Sequence, residues 1–172
     1  MTATRIQACS LDKQFTLHHQ YGVQLDVLTD LEFDAKSGEC LIFSGRSGSG
    51  KSTLLKMIYG NYLATSGSLQ VKHGDEWVEM VAAAPRSVVE LRRHTIGYVS
   101  QFLKTIPRVS TLNLVMEPAV ERGWSVEQAR ERAENLLSRL NIPERLWHLA
   151  PSTFSGGEQQ RVNIARGFMV AW

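Results

Sequence analysis

Apolar positions in the first hundred residues come in short runs. Ile6 to Leu11, Val23 to Leu28 and Leu41 to Ser44 are separated by polar or glycine-bearing stretches such as Ala35-Lys36-Ser37-Gly38-Glu39. Runs of this length bounded by breakers predict strands. One helical segment interrupts them: over Ser52 to Tyr59, residues Leu54, Leu55, Ile58 and Tyr59 fall at three- and four-residue steps, and Gly60 supplies a stop. Gly67 to Lys72 alternates like a strand again, and Ile96 to Val99 is a further short apolar run ending at Ser100-Gln101.

From Thr111 the period is helical. Val126, Ala129, Ala133, Leu136, Leu137 and Leu140 share one face, and Ser125 with Gln128 three residues on forms a capping box at the start of that helix. Asn141-Ile142-Pro143 ends it, and a final helix from Gly156 carries Val162, Ala165, Phe168 and Met169 on one side. The pattern is a β layer with one embedded helix, then a helical region.

Composition narrows the class. With 172 residues and 43% apolar content, the chain is long enough for a compact core. Its net charge of +2 is spread along the length, with no basic stripe to bind nucleic acid. Nowhere do about 18 uncharged apolar residues run together, so no membrane insertion is expected and the chain reads as soluble and cytoplasmic. Two cysteines are too few for a disulfide framework, and Cys40, in the run Cys40 to Phe43, is expected as a buried, reduced thiol. The five histidines, His18, His19, His73, His94 and His148, have no metal-ligand spacing.

The strongest chemical signal is Gly45-Arg46-Ser47-Gly48-Ser49-Gly50-Lys51-Ser52-Thr53, a G-x-x-x-x-G-K-[ST] phosphate-binding loop between an expected strand and an expected helix. Its glycines let successive N–H groups turn inward toward phosphate oxygens, and the helix adds its positive end. Lys51 supplies a point charge for the β- and γ-phosphates of ATP, and the Ser52 hydroxyl a ligand for Mg2+. A second constellation is Phe154-Ser155-Gly156-Gly157-Glu158-Gln159-Gln160-Arg161. Ser155 and Glu158 make a capping box by themselves, with or without a ligand.

Together with Gln-Arg-Val and Ala165-Arg166, this second motif resembles the signature of the ATP-binding-cassette (ABC) ATPases, with Glu158 where Gln is more usual. The resemblance implies an α/β P-loop NTPase fold with an N-terminal antiparallel β subdomain and a helical signature subdomain. It also implies that Ser155, Gly156, Gly157 and Glu158 act in trans on a nucleotide held by a second cassette subunit, identical or different. Gln101 matches the family's Q-loop glutamine, which contacts Mg2+ and the attacking water. Phe15 matches the aromatic that stacks on adenine, with Tyr21 as a competitor.

Two stretches, His73 to Val78 and Ile142 to Glu158, resemble the PhnL-type subunit of the bacterial carbon-phosphorus lyase system. They imply a role in phosphonate breakdown and docking on the lyase core complex. The alternative is the ATPase subunit of a lipoprotein or macrolide exporter, which shares the Gly-Gly-Glu-Gln-Gln-Arg variant. A third reading is a nucleotide-binding fragment without turnover. Its basis is that no Asp or Glu follows Glu158, whereas a P-loop ATPase needs a later apolar strand ending in Asp, the Walker B strand. The sequence therefore reads as one partial ATP-binding domain over 1–172, C-terminally incomplete. Within it, 1–100 is the β subdomain and loop core, 101–155 the Q-loop and helical subdomain, and 156–172 the signature helix. Hydrolysis is assigned to the complete protein, and Val162, Ala165 and Phe168 are expected to be exposed.

Overall fold

The computed structural model describes residues 3–17, 19, 21–104 and 107–172; His18 is outside them. It divides into two units, Met1–Ile96 and Gly97–Trp172.

The first unit is built on two long strands, β1 (Thr4–Leu17) and β2 (Val23–Lys36), paired antiparallel from Thr4↔Lys36 to Leu17↔Val23. Helix α1 (Lys51–Ile58) follows, then the hairpin β3 (Ser66–His73) and β4 (Glu76–Glu79), and α2 (Pro85–His94). The sheet is antiparallel throughout, in the order β2-β1-β3-β4. Leu69 and Val71, two residues apart on β3, point to one face as strand geometry requires. There they join Ala8 and Leu11 of β1, Leu54, Met57 and Ile58 of α1, Met80, and Leu91 of α2 in one buried cluster. Burying such side chains contributes about 1.5–3 kcal/mol each before conformational entropy is set against it. The register breaks on β1 between Ala8 and Leu11. Beyond the break, the Asp12 carboxylate accepts from the Ser66 hydroxyl at 2.6 Å and the Asp30 N–H at 2.8 Å. These bonds, Ser66's first, hold its carboxyl below the usual carboxylate range.

The second unit is helical: α3 (Thr111–Val120), α4 (Val126–Arg139), the single turn α5 (Glu144–Trp147), a 3-10 turn (Pro151–Thr153) and α6 (Gly156–Gly167). Its core joins Leu112, Val115 and Ala119 of α3 to Ala129, Ala133 and Leu137 of α4 and Val162 and Ala165 of α6. Ser125 and Gln128 form the expected capping box of α4. Among the described residues no helix is long and apolar enough to cross a membrane.

Several expectations need correction. Leu41 to Ser44 and Ile96 to Val99 pair with no strand among the described residues. An apolar run becomes a strand only where a ladder supplies partners for its N–H and C=O groups. Cys40 is exposed, not buried, with Leu41 and Ile42 beside it also exposed. Val162 and Ala165 are fully buried, because α3 and α4 cover that face of α6, whereas Phe168 at the helix C-cap is 62% exposed. Four elements lie outside the sequence reading: β4, α2, the single turn α5 and the 3-10 turn. β4 contains only Trp77 and Val78 as apolar residues and owes its form to pairing with β3. α2 carries start and stop signals that make it detectable, Pro85 in its first turn and Arg92, Arg93 and His94 in its last.

Candidate nucleotide-binding site

The Gly45 to Thr53 segment folds as an irregular loop ending in α1. Gly48 and Gly50 both have φ of 83°, a region open to glycine at little cost. Around Gly48 nothing lies within 4 Å of where a Cβ would sit, whereas at Gly50 that Cβ would meet the Val27 carbonyl oxygen and the Leu28 side chain at 2.7 Å. The second glycine is thus fixed by the β2 backbone, and the first lines open space. Gly50 is also the N-cap of α1, and no side chain caps that end. The first-turn N–H groups of Lys51, Ser52 and Thr53, unpartnered within the helix by geometry, are left to a ligand. No acidic residue sits in the first turn to neutralise the dipole.

The Lys51 ammonium lies across the loop. It donates to the Gly45 and Arg46 carbonyls, both at 2.8 Å, and to the Ser49 hydroxyl at 3.2 Å. Arg46, Ser47 and Ser49 are exposed around it, as is Ser52, while Lys51 and Thr53 are half-buried. A cation held by carbonyls and a hydroxyl has no formal counter-charge, so a polyphosphate that offers one competes favourably for it. The backbone cradle, open helix end and central ammonium together fit the triphosphate of a nucleotide.

Phe15 lies half-buried on β1 in the same unit. Its ring meets Tyr62 edge-on, with centroids 5.3 Å apart, and the Lys13 ammonium sits 4.5 Å from its centroid. The sequence reading missed both neighbours, although Lys13, two residues away on the same strand, was detectable by period. Tyr21, the competing aromatic, is fully exposed at φ 56° in the β1–β2 turn.

In the second unit, Ser155 to Glu158 opens α6. Ser155 is the N-cap, and the Glu158 carboxylate accepts from the Ser155 N–H at 2.9 Å and its hydroxyl at 2.7 Å, completing a capping box. The hydroxyl bond is the larger cause of a Glu158 carboxyl held below its ordinary range, with the N–H bond next and Arg161 and Arg145 adding smaller attractions. Gly156 and Gly157 are exposed. Gln101 is exposed as well, directly after Ser100 and before the 76% exposed Phe102.

Residues 28–171 match the family model described as ABC transporter. The chain belongs to the ABC transporter ATP-binding family. Over 169 residues it is 37% identical to the lipoprotein-releasing system ATP-binding protein LolD of Idiomarina loihiensis, covering 98% of this chain and 71% of that protein. Over 142 residues it is 39% identical to the macrolide export ATP-binding/permease protein MacB of Rhodopseudomonas palustris, covering 83% of this chain and 21% of that protein. The bacterial ABC transporter cassette MJ0796, solved as a dimer, superposes with a TM-score of 0.82 at 29% identity, over 95% of this chain and 69% of that one. A second MJ0796 structure, a post-hydrolysis state with ADP and Pi, gives 0.81 at 28% identity.

These similarities establish the cassette fold and an ATP-binding family. They favour exporter ATPases over the phosphonate-specific resemblance, which finds no support in them. Of the stretch Ile142 to Glu158, Ile142, Trp147, Pro151 and Phe154 are buried, and the Trp147 indole N–H donates to the Ile142 carbonyl at 2.9 Å. Those four residues pack within the helical unit, while Glu144, Arg145, His148 and Leu149 of the same stretch are exposed.

Proposed function

We propose that this cassette is the nucleotide-binding part of an exporter-type ABC ATPase that binds ATP with Mg2+, pairs with a second cassette subunit, and in the whole protein hydrolyses ATP to drive a membrane permease. The observation that carries the reading is the uncapped start of α1 beneath an open glycine loop with the Lys51 ammonium at its centre.

Each residue has a task. Gly45 to Gly50 present backbone N–H groups to phosphate oxygens, and Lys51 exchanges its loop carbonyls for the β- and γ-phosphates. Ser52 would hold Mg2+ through its hydroxyl, and Gln101 would take the role that the family resemblance gives it, toward the metal and the attacking water. Phe15 offers its ring to adenine, provided that Lys13 gives way. Ser155, Gly156, Gly157 and Glu158 meet the nucleotide of the second subunit. When bound, Mg2+ neutralises charge developing on the transferred phosphoryl group.

The permease partner is taken from the likeness to MacB, an ATP-binding/permease protein, and a position at the cytoplasmic face of a membrane is part of the same proposal. Steady-state hydrolysis by the protein and a Lys51→Ala control tests the activity. Turnover that needs Lys51 and Mg2+ supports it; equal rates in both contradict it. A deletion strain with altered macrolide tolerance or lipoprotein release, yet normal growth on methylphosphonate, supports the exporter assignment. Failure on methylphosphonate alone reinstates the carbon-phosphorus lyase.

A further inference from the structure

We infer that Asn163 is a positioning residue that fixes the segment carrying Gln101 to the signature helix, so that Ser155 to Glu158 and Gln101 belong to one mechanical piece. The inference rests on the ATPase reading above and adds a residue to it.

Asn163 is only 6% exposed on α6, among Val162, Ala165 and Met169, which are all fully buried. A polar amide in such surroundings costs about 1–3 kcal/mol unless it is hydrogen-bonded. Its Nδ2 donates to the Ser100 carbonyl at 2.6 Å. The Ser100 hydroxyl in turn donates to the Phe102 carbonyl at 2.6 Å, spanning Gln101. The backbone is therefore held on both sides of Gln101, whose side chain stays exposed.

A second contact fastens the same segment. Gly167, one helical turn beyond Asn163 and on the same face, lies so close to Val99 that a Cβ there would come within 2.3 Å of its Cγ2 atom. Beyond Gln101, Leu103 is buried in the core cluster that holds Met169 and Val170. Asn163, Gly167 and Leu103 thus clamp residues 99–103 along α6, and the directional contact among them is the amide of Asn163. Packing alone does not call for a polar residue at this position, and the carbonyl it holds immediately precedes Gln101.

Asn163→Leu keeps the branched outline of the side chain and removes the donor, with the smaller Asn163→Ala as a second variant should leucine not fold. In the absence of nucleotide, chymotryptic cleavage after Phe102 should accelerate about tenfold relative to cleavage at Tyr21, as expected when a local tether is released. In turnover, kcat should fall about tenfold while KM for ATP stays within about twofold, the split expected when a group is misplaced without loss of ground-state binding. A merely structural role would accelerate cleavage at Phe102 and Tyr21 alike and slow turnover by amounts that follow lost thermal stability, and it would change KM together with kcat. Unchanged cleavage, or faster cleavage with kcat and KM unaltered, overturns the positioning role. A wild-type protein that hydrolyses no ATP overturns the ATPase reading itself and this inference with it, an outcome distinct from a variant that matches an active wild type.

Discussion

Two helices of this cassette begin at motifs assigned to phosphate, and they begin in opposite ways. At α1 the N-cap is a glycine, no side chain caps the first turn, and the nearby charge is a lysine whose partners are two backbone carbonyls and the Ser49 hydroxyl. At α6 the N-cap is Ser155, and Glu158 folds back to satisfy that end with its own carboxylate. The third residue of each helix marks the contrast, Thr53 in α1 and Glu158 in α6. A helix end is an anion site when its N–H groups are unmet, and α6 meets part of its demand internally. The primary site is thus built open, whereas the signature end must exchange or share its cap before it receives a second subunit's nucleotide.

Removing the charge at the open end should have the largest effect. Lys51→Ala is expected to lower ATP turnover at least about a hundredfold, in line with losing one charged donor to a transferring phosphoryl group; a steady-state assay decides. Closing α1 in the manner of α6 should come next. Thr53→Glu places a carboxylate at the third helical position, and ATP affinity, measured by calorimetry, should fall about tenfold from repulsion and occupied N–H groups. Loosening α6 should act in the other direction. Glu158→Gln can keep the capping box but sheds the charge, so ATP-dependent dimerisation followed by analytical ultracentrifugation should strengthen about two- to fivefold, the range of a helix-end charge effect. Weaker dimerisation would show that the carboxylate itself is needed.

The smallest effect is on pH dependence. Because hydrogen bonds from Ser155 depress the Glu158 carboxyl in the fold, its stabilising contribution is complete above the ordinary carboxylate value and is lost as pH falls through the lowered one. Helix content read by circular dichroism should therefore be level from about pH 7 to 5 and decline below roughly pH 4. In Glu158→Gln that part of the decline should be absent.

What the sequence revealed follows the range of the forces involved. The loop at Gly45 to Thr53 and the capping boxes at Ser125 and Ser155 are set by residues within a few positions of one another, and the structure forms all of them locally. Leu41 to Ser44 was misread because strand formation depends on a distant partner. β4 escaped notice for the same reason, since its form comes from pairing with β3 rather than from its own residues. Cys40 was placed inside on the strength of its apolar neighbours, but an apolar neighbourhood in sequence does not supply a covering layer in space. The candidate site divides likewise. Lys51 and its loop were legible, whereas the environment of Phe15 depends on Tyr62, 47 positions further along (62 − 15), which no local pattern connects to it. The tie between Asn163 and Ser100 spans 63 positions, and its only local trace is an amide at a buried position of α6.

The contrast between the two helix ends can be measured residue by residue. In a titration of the isotope-labelled protein with MgATP, followed by amide nuclear magnetic resonance at a concentration where the protein is monomeric, the largest shifts should fall on the N–H groups of Arg46 to Thr53. Those of Gly156 to Glu158 should stay in place. Equal shifts at both ends, or none at Arg46 to Thr53, would contradict the account of an open primary site and a self-capped signature.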